Sequence, residues 1–171
     1  LSTQFEGYEA SDPKGPTMSD RGSPTTPLGT FYGPQYARFA TATAAEIRRE
    51  VYGIDLGQQG WRGADEQASL VASLQLSEDS HFLDVACGSA GPSLDIVERI
   101  GCRLTAVDVE EAAIAQAAAD AKSRGLGEAV TAIPLDCSLP LPFADGAFDA
   151  IACIDAILHL TGRFHILADW G

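Results

Sequence analysis

Between residues 81 and 153 the chain repeats one alternation, in which short apolar runs rich in β-branched residues are separated by segments of helical spacing. The runs are HFLDVA, RLTAVDV, VTAIPL and FDAIACI, and SLDIVERI and EEAAIAQAAADAKSR connect the first three. Runs that are apolar on both faces are strands buried on both sides of a parallel sheet, and parallel neighbours need a crossover between them. The pattern therefore predicts an α/β fold with a doubly wound, mainly parallel sheet. In the second crossover Glu110 and Glu111 stand at the positive end, Lys122 and Arg124 lie near the negative end, and Gly125 ends the helix. The third and fourth runs are joined without a long helix by LPLPFADG, whose Asp145–Gly146 marks a turn.

Upstream the pattern changes. Residues 1–30 are rich in Gly, Pro, Ser, Thr and Asp and show neither period, so they are expected to form a flexible segment. Met18 is the one methionine and reads as the natural start, which makes residues 1–17 a candidate non-native extension. Residues 31–76 read as a helical cap or lid. From Gln35 to Val51, the residues Tyr36, Phe39, Ala40, Ile47 and Val51 fall on one helical face. After GIDLGQQGW a second helix follows, with Asp65 and Glu66 in its first turn and Leu70, Val71 and Leu74 on one side. Residues 77–171 then make the α/β core. After the fourth run comes one helix, from about Gly162, which leaves the far side of the fourth strand uncovered. Such an edge suits pairing of two copies.

The 171 residues are enough for one ordinary domain. A formal charge of −13, with no basic stripe, disfavours nucleic acid as a partner. No apolar run reaches the roughly 18 residues of a membrane span, and no basic segment leads into an apolar one at the N-terminus. The cysteines Cys87, Cys102, Cys137 and Cys153 lack metal-ligand spacing and sit in or beside apolar runs, as reduced thiols of a cytoplasmic core do. His81, His159 and His165 form no ligand set with them, so no metal is expected.

The chemistry gathers at DVACGSAGPS, residues 84–93, where a strand ends in an acid and breaks into small residues before a helix. In doubly wound sheets ligands sit beyond the carboxyl ends of the strands, and small residues there let backbone approach them. Ala86-x-Gly88-x-x-Gly91 is a degenerate dinucleotide fingerprint, with Asp108 twenty residues after Gly88, near where a ribose-binding acid belongs. Read alone, that turn leaves a nicotinamide cofactor open.

Taken together, Asp84-Val-Ala-Cys-Gly88-Ser-Ala-Gly91, Val107-Asp108-Val109, Leu135-Asp136-Cys137 and LPFADGAFDAIACIDAILHL resemble the class I S-adenosylmethionine-dependent methyltransferases. The resemblance runs from about Tyr32 to the C-terminus and is closest to the small-molecule subgroup, whose lead-in VYGIDLGQQGW is similar to. It implies a Rossmann-like methyltransferase fold that continues with three more strands and often a substrate cap, so the core is expected to be incomplete at its C-terminal side.

Carried over by motif, the resemblance gives Asp84 and the backbone of Ala86, Cys87 and Gly88 the methionine end of S-adenosylmethionine. It gives Asp108 the ribose hydroxyls, Val109 the adenine face, and Asp136 and Cys137 the adenine edge. Ile154 and Asp155 border the methionine and the acceptor, and Tyr32, Gln59 and Trp61 close the site from the N-terminal side. The family usually has Gly where this chain has Ala86 and Ala90; Ala90 is the less comfortable if the turn needs positive φ there, unless Gly91 takes that role. His159 is either a general base or acceptor-orienting group, or a packed histidine. His165 and Trp170 read as helix surface and packing. The expected activity is methyl transfer to a small-molecule acceptor. A catalytically inactive cofactor-binding remnant or interaction module, and an NAD-dependent oxidoreductase fragment, stay open beside it.

Overall fold

The computed structural model describes residues 38–39 and 41–170. Four strands form one parallel sheet: β1 (His81–Val85), β2 (Arg103–Asp108), β3 (Val130–Pro134) and β4 (Ala150–Ala152), in the order β3-β2-β1-β4. Before the sheet come α1 (Ala42–Tyr52) and α2 (Ala64–Leu74) among the described residues. The crossover helices are α3 (Gly91–Ile100) and α4 (Glu111–Ser123), and after β4 come a 3₁₀ turn (Ile157–His159) and α5 (Arg163–Asp169). The sheet order reverses beside β1, which pairs with β2 on one side and β4 on the other.

Strand alternation divides the core between the two faces. Phe82, Leu104 and Ala106 pack with Leu94, Ile96 and Val97 of α3, and with Leu70, Val71 and Leu74 of α2, as their spacing predicts. Leu83, Val85 and Val107 face the other way, where Phe143, Phe148, Leu160 and Trp170 cover them. Each fully buried Leu, Ile or Val contributes about 1.5–3 kcal/mol of transfer free energy, so α3 is held by its apolar face.

The outer strands differ from expectation. In β3, Thr131 and Pro134 are exposed and Val130 is half-buried, because the strand lies at an edge and α4 is the helix packed against it. The fourth strand is shorter than its apolar run. It pairs only from Phe82↔Ala150 to Asp84↔Ala152, and just before it Asp149 accepts the His81 amide through Oδ2 at 2.7 Å.

The first helix is the clearest correction. It starts at Ala42, with Thr41 Oγ1 accepting the Ala44 amide, and Ile47 and Val51 are 54% and 61% exposed; Arg38 and Phe39 before it are also helical, and Gln35 lies outside the described residues. Its one buried residue is Arg48. The Arg48 Nε donates to Asp55 at 2.6 Å and its Nη1 to the Phe39 carbonyl at 2.9 Å. Ion pairing, rather than an apolar stripe, anchors this helix. Tyr36, Ala40 and the segment 1–30 lie outside the described residues. No helix among the described residues is long and apolar enough to cross a membrane.

Candidate functional site

A cavity of about 450 Å³ opens beyond the carboxyl ends of β1, β2 and β4, where the sheet order reverses. Its wall includes Asp84, Ala86, Cys87, Gly88, Asp108, Val109, Ile154, Asp155 and His159, together with Gln59 and Trp61 from the loop between α1 and α2. Tyr32 lies outside the described residues. Asp136 and Cys137 are not brought into the wall. Asp136 turns back on its own loop, its Oδ1 accepting from the Ser138 amide at 2.9 Å and hydroxyl at 2.6 Å. The Cys137 thiol is buried in the core, 3.5 Å from the Leu135 carbonyl.

Backbone geometry shapes the turn after β1. Ala86, Gly88 and Ala90 all adopt φ of +56°, so the positive φ falls on Ala90 itself and is not transferred to Gly91. Gly91 serves a different purpose: a Cβ there would overlap the Leu56 carbonyl, so its smallness lets the α1–α2 loop press onto the start of α3. That loop is knotted by Gln58, whose Oε1 accepts the Leu56 amide at 2.7 Å while Nε2 donates to the Ile54 and Arg62 carbonyls. Gln67, fully buried on α2, donates through Nε2 to the Pro92 carbonyl and to Asp95, both at 2.9 Å. Helical spacing gave no sign of either glutamine, because it registers apolar positions only.

Of the acids in the wall, Asp84 and Asp108 stand at the ends of β1 and β2. Asp108 receives the Gly88 amide on Oδ2 at 2.8 Å and the Glu110 amide on Oδ1 at 2.9 Å, which fastens the turn to the end of β2. Asp84 is 1% exposed; its Oδ2 accepts the Ser93 hydroxyl at 2.6 Å, and its buried Oδ1 has no partner among the described residues. Burial drives the Asp84 carboxyl up to about 7, with the Asp108 charge adding to the rise while Ser93 and the Arg62 guanidinium oppose it. The Cys87 thiol is held far above its ordinary range by burial and then by Asp84 and Asp108, so it is no nucleophile.

The rim is made by Trp61, 87% exposed, and by the segment after β4. Asp155 stands there at φ +57°, against Gly60, and pairs at 3.4 Å with Arg62 Nη2. His159 closes the 3₁₀ turn, its amide donating to the Ala156 carbonyl at 2.9 Å. His165 is exposed on α5, and Trp170 packs against the core. An orphaned acid oxygen, a second acid and close-lying backbone suit a ligand that joins a cationic group to a hydroxyl-bearing ring.

This arrangement, an acid-ended β1, a small-residue turn and a second acid ending β2, defines a doubly wound nucleoside-binding domain. A family model described as Methyltransferase domain matches residues 82–168, and the chain belongs to that family, the class I S-adenosylmethionine-dependent methyltransferases. The chain is 26% identical over 138 residues to the sterol 24-C-methyltransferase ERG6B of Gibberella zeae, covering 70% of this chain and 36% of that one. A S-adenosylmethionine-dependent methyltransferase from Geobacter sulfurreducens, solved in complex with S-adenosyl-L-homocysteine, superposes with a TM-score of 0.53 at 26% identity, over 62% of this chain and 43% of that one. The [4+2]-cyclase SpnF shares the fold, with a TM-score of 0.64 at 24% identity over 83% of this chain and 53% of that one. The chain thus spans about a third to a half of the length of these relatives.

Proposed function

We propose that this chain carries the donor site of an enzyme that transfers a methyl group from S-adenosylmethionine to a small-molecule acceptor. The observation that carries the reading is the pairing of Asp84 and Asp108 across the turn: one buried carboxyl with an orphaned oxygen, and one held by two backbone amides in the same cavity wall. Asp84 and the backbone of residues 86–88 would hold the amino-acid end, Asp108 the ribose, and Val109 the adenine face. Asp136 and Cys137 reach the adenine edge only if the loop after β3 moves, so their share is the smallest. When bound, the donor supplies a methyl group already activated on a sulfonium. The chain's part is then to orient and to exclude water. His159 would take a proton from the acceptor, and Asp155, tied to Arg62, would fix the rim against which the acceptor lies.

A second reading, binding without transfer, draws support from the exposure of Leu158 and Phe164 near β4, a surface that also suits pairing with a second copy. The free thiols at all four cysteines accord with a cytoplasmic setting. One experiment separates the readings. Incubated with methyl-labelled donor and a pool of small metabolites, the protein should move label into that pool, and His159→Ala should lower the rate while leaving donor affinity unchanged. Donor binding with no transferred label would favour the second reading.

A further inference from the structure

Asp84 is the most confined ionisable group in the cavity wall. It sits on β1 among groups from every neighbouring element. Ser93 of α3 donates to one of its oxygens, while Asp108 at the end of β2 opposes its charge and Arg62 from the α1–α2 loop supports it. The thiols of Cys87, Cys137 and Cys153, after β1, β3 and β4, lie within reach of its field and are themselves held protonated, Cys137 at about 11 and Cys153 at about 12, by burial first. The Arg62 guanidinium is turned to Asp155 at 3.4 Å and makes no hydrogen bond to Asp84. Ser93 therefore serves one of the two carboxyl oxygens, and the other has nothing to accept from among the described residues. A bare carboxylate in such a place is costly, and the group stays neutral until a cation arrives.

Resting on the donor-site reading above, we infer that Asp84 holds a proton before ligand binds and gives it up to solvent when the ammonium group of an amino-acid-bearing nucleoside docks at its orphaned oxygen. The exchange balances: the neutral carboxyl becomes a carboxylate paired with the incoming ammonium, and one proton leaves for bulk water. The site thereby selects by charge. Ligands that keep the nucleoside but lack the cation have nothing with which to displace the proton, and they bind without proton release.

The test is calorimetric titration of the whole chain with S-adenosylhomocysteine and with 5′-methylthioadenosine, which lacks the amino-acid end, in buffers of different ionisation enthalpy between pH 5.5 and 8. The expected result is nearly one proton released per S-adenosylhomocysteine at pH 6. Its affinity should strengthen about 30-fold from pH 5.5 to a plateau above pH 7, and methylthioadenosine should show neither effect. The isosteric Asp84→Asn should bind S-adenosylhomocysteine more weakly, with no proton release and an affinity flat in pH. The flat profile also separates Asp84 from His159, which the substitution leaves in place. Tight S-adenosylhomocysteine binding that is independent of pH, or equal proton release by both ligands, would overturn the inference and leave the donor site standing. Binding of neither ligand would remove the donor site and the inference together. If Asp84→Asn does not fold, the comparison of the two ligands on the parent chain still decides.

Discussion

Asp108 and Gly88 are joined by a 2.8 Å hydrogen bond from the Gly88 amide to the Asp108 carboxylate, across twenty residues of sequence. The same side chain receives the Glu110 amide, so the turn after β1 and the turn after β2 share one acceptor. Each acid–amide bond of this kind contributes about 1.5–3 kcal/mol, and together they set the shape of the cavity floor.

Asp108→Ala removes both bonds and the proposed ribose acceptor. The expected outcome is a loss of at least about 100-fold in S-adenosylhomocysteine affinity, with the far-ultraviolet circular dichroism of the α/β core retained. Equal affinity in variant and parent would refute the assigned role.

Gly91→Ala places a methyl group against the Leu56 carbonyl, where backbone must yield. Overpacking of this sort costs about 1–3 kcal/mol, and here it pushes the α1–α2 loop away from α3. The expected signs are a lower urea midpoint and faster proteolysis between residues 54 and 62. A midpoint unchanged within error would mean that the loop is not pressed onto α3.

Ala86 and Ala90 share a left-handed backbone but should respond differently to glycine. The strain relieved is about 1–2 kcal/mol for an L-residue in this region, less about 0.4–1 kcal/mol for the freer unfolded chain. Ala90 is fully buried, so Ala90→Gly also loses a packed methyl worth about 0.8 kcal/mol. Ala86→Gly should therefore stabilise by about 0.5 kcal/mol and Ala90→Gly should be close to neutral, as measured by chemical denaturation.

The Asp84 carboxyl makes stability depend on pH in an unusual direction. Its folded value is about 7 against an ordinary 3.8, so between those values the folded state binds more protons than the unfolded state. This contribution is full below about pH 4, is lost as pH rises toward 7, and is flat above; it amounts to on the order of 4 kcal/mol. Urea titrations from pH 4 to 8 should show the parent losing stability relative to Asp84→Asn over that window, with the variant the more stable at pH 8. A variant less stable at every pH would show that Asp84 is needed as a charge in the fold.

What the sequence disclosed follows from what its patterns encode. The strand–turn–helix at residues 81–100 and the acid ending β2 were legible because apolar runs, small residues and a lone carboxylate each leave a local signature. Arg48 was missed because its partner, Asp55, lies beyond the helix end, and periodicity counts Ile47 and Val51 instead. The close approach of the Leu56 carbonyl to Gly91 was not legible, because it is a contact across some 35 residues that no local rule contains. Asp136 follows the second strand–acid pattern as well as Asp108 does, yet its loop turns it onto the amide and hydroxyl of Ser138, a contact two residues away that the strand–acid pattern does not contain.

The most direct test of the account is calorimetric titration of this chain with S-adenosylhomocysteine, with NAD as the comparison. Micromolar binding of S-adenosylhomocysteine and none of NAD is the predicted result. Binding of NAD instead, or of neither, would contradict the assignment of this cavity to the methyl donor.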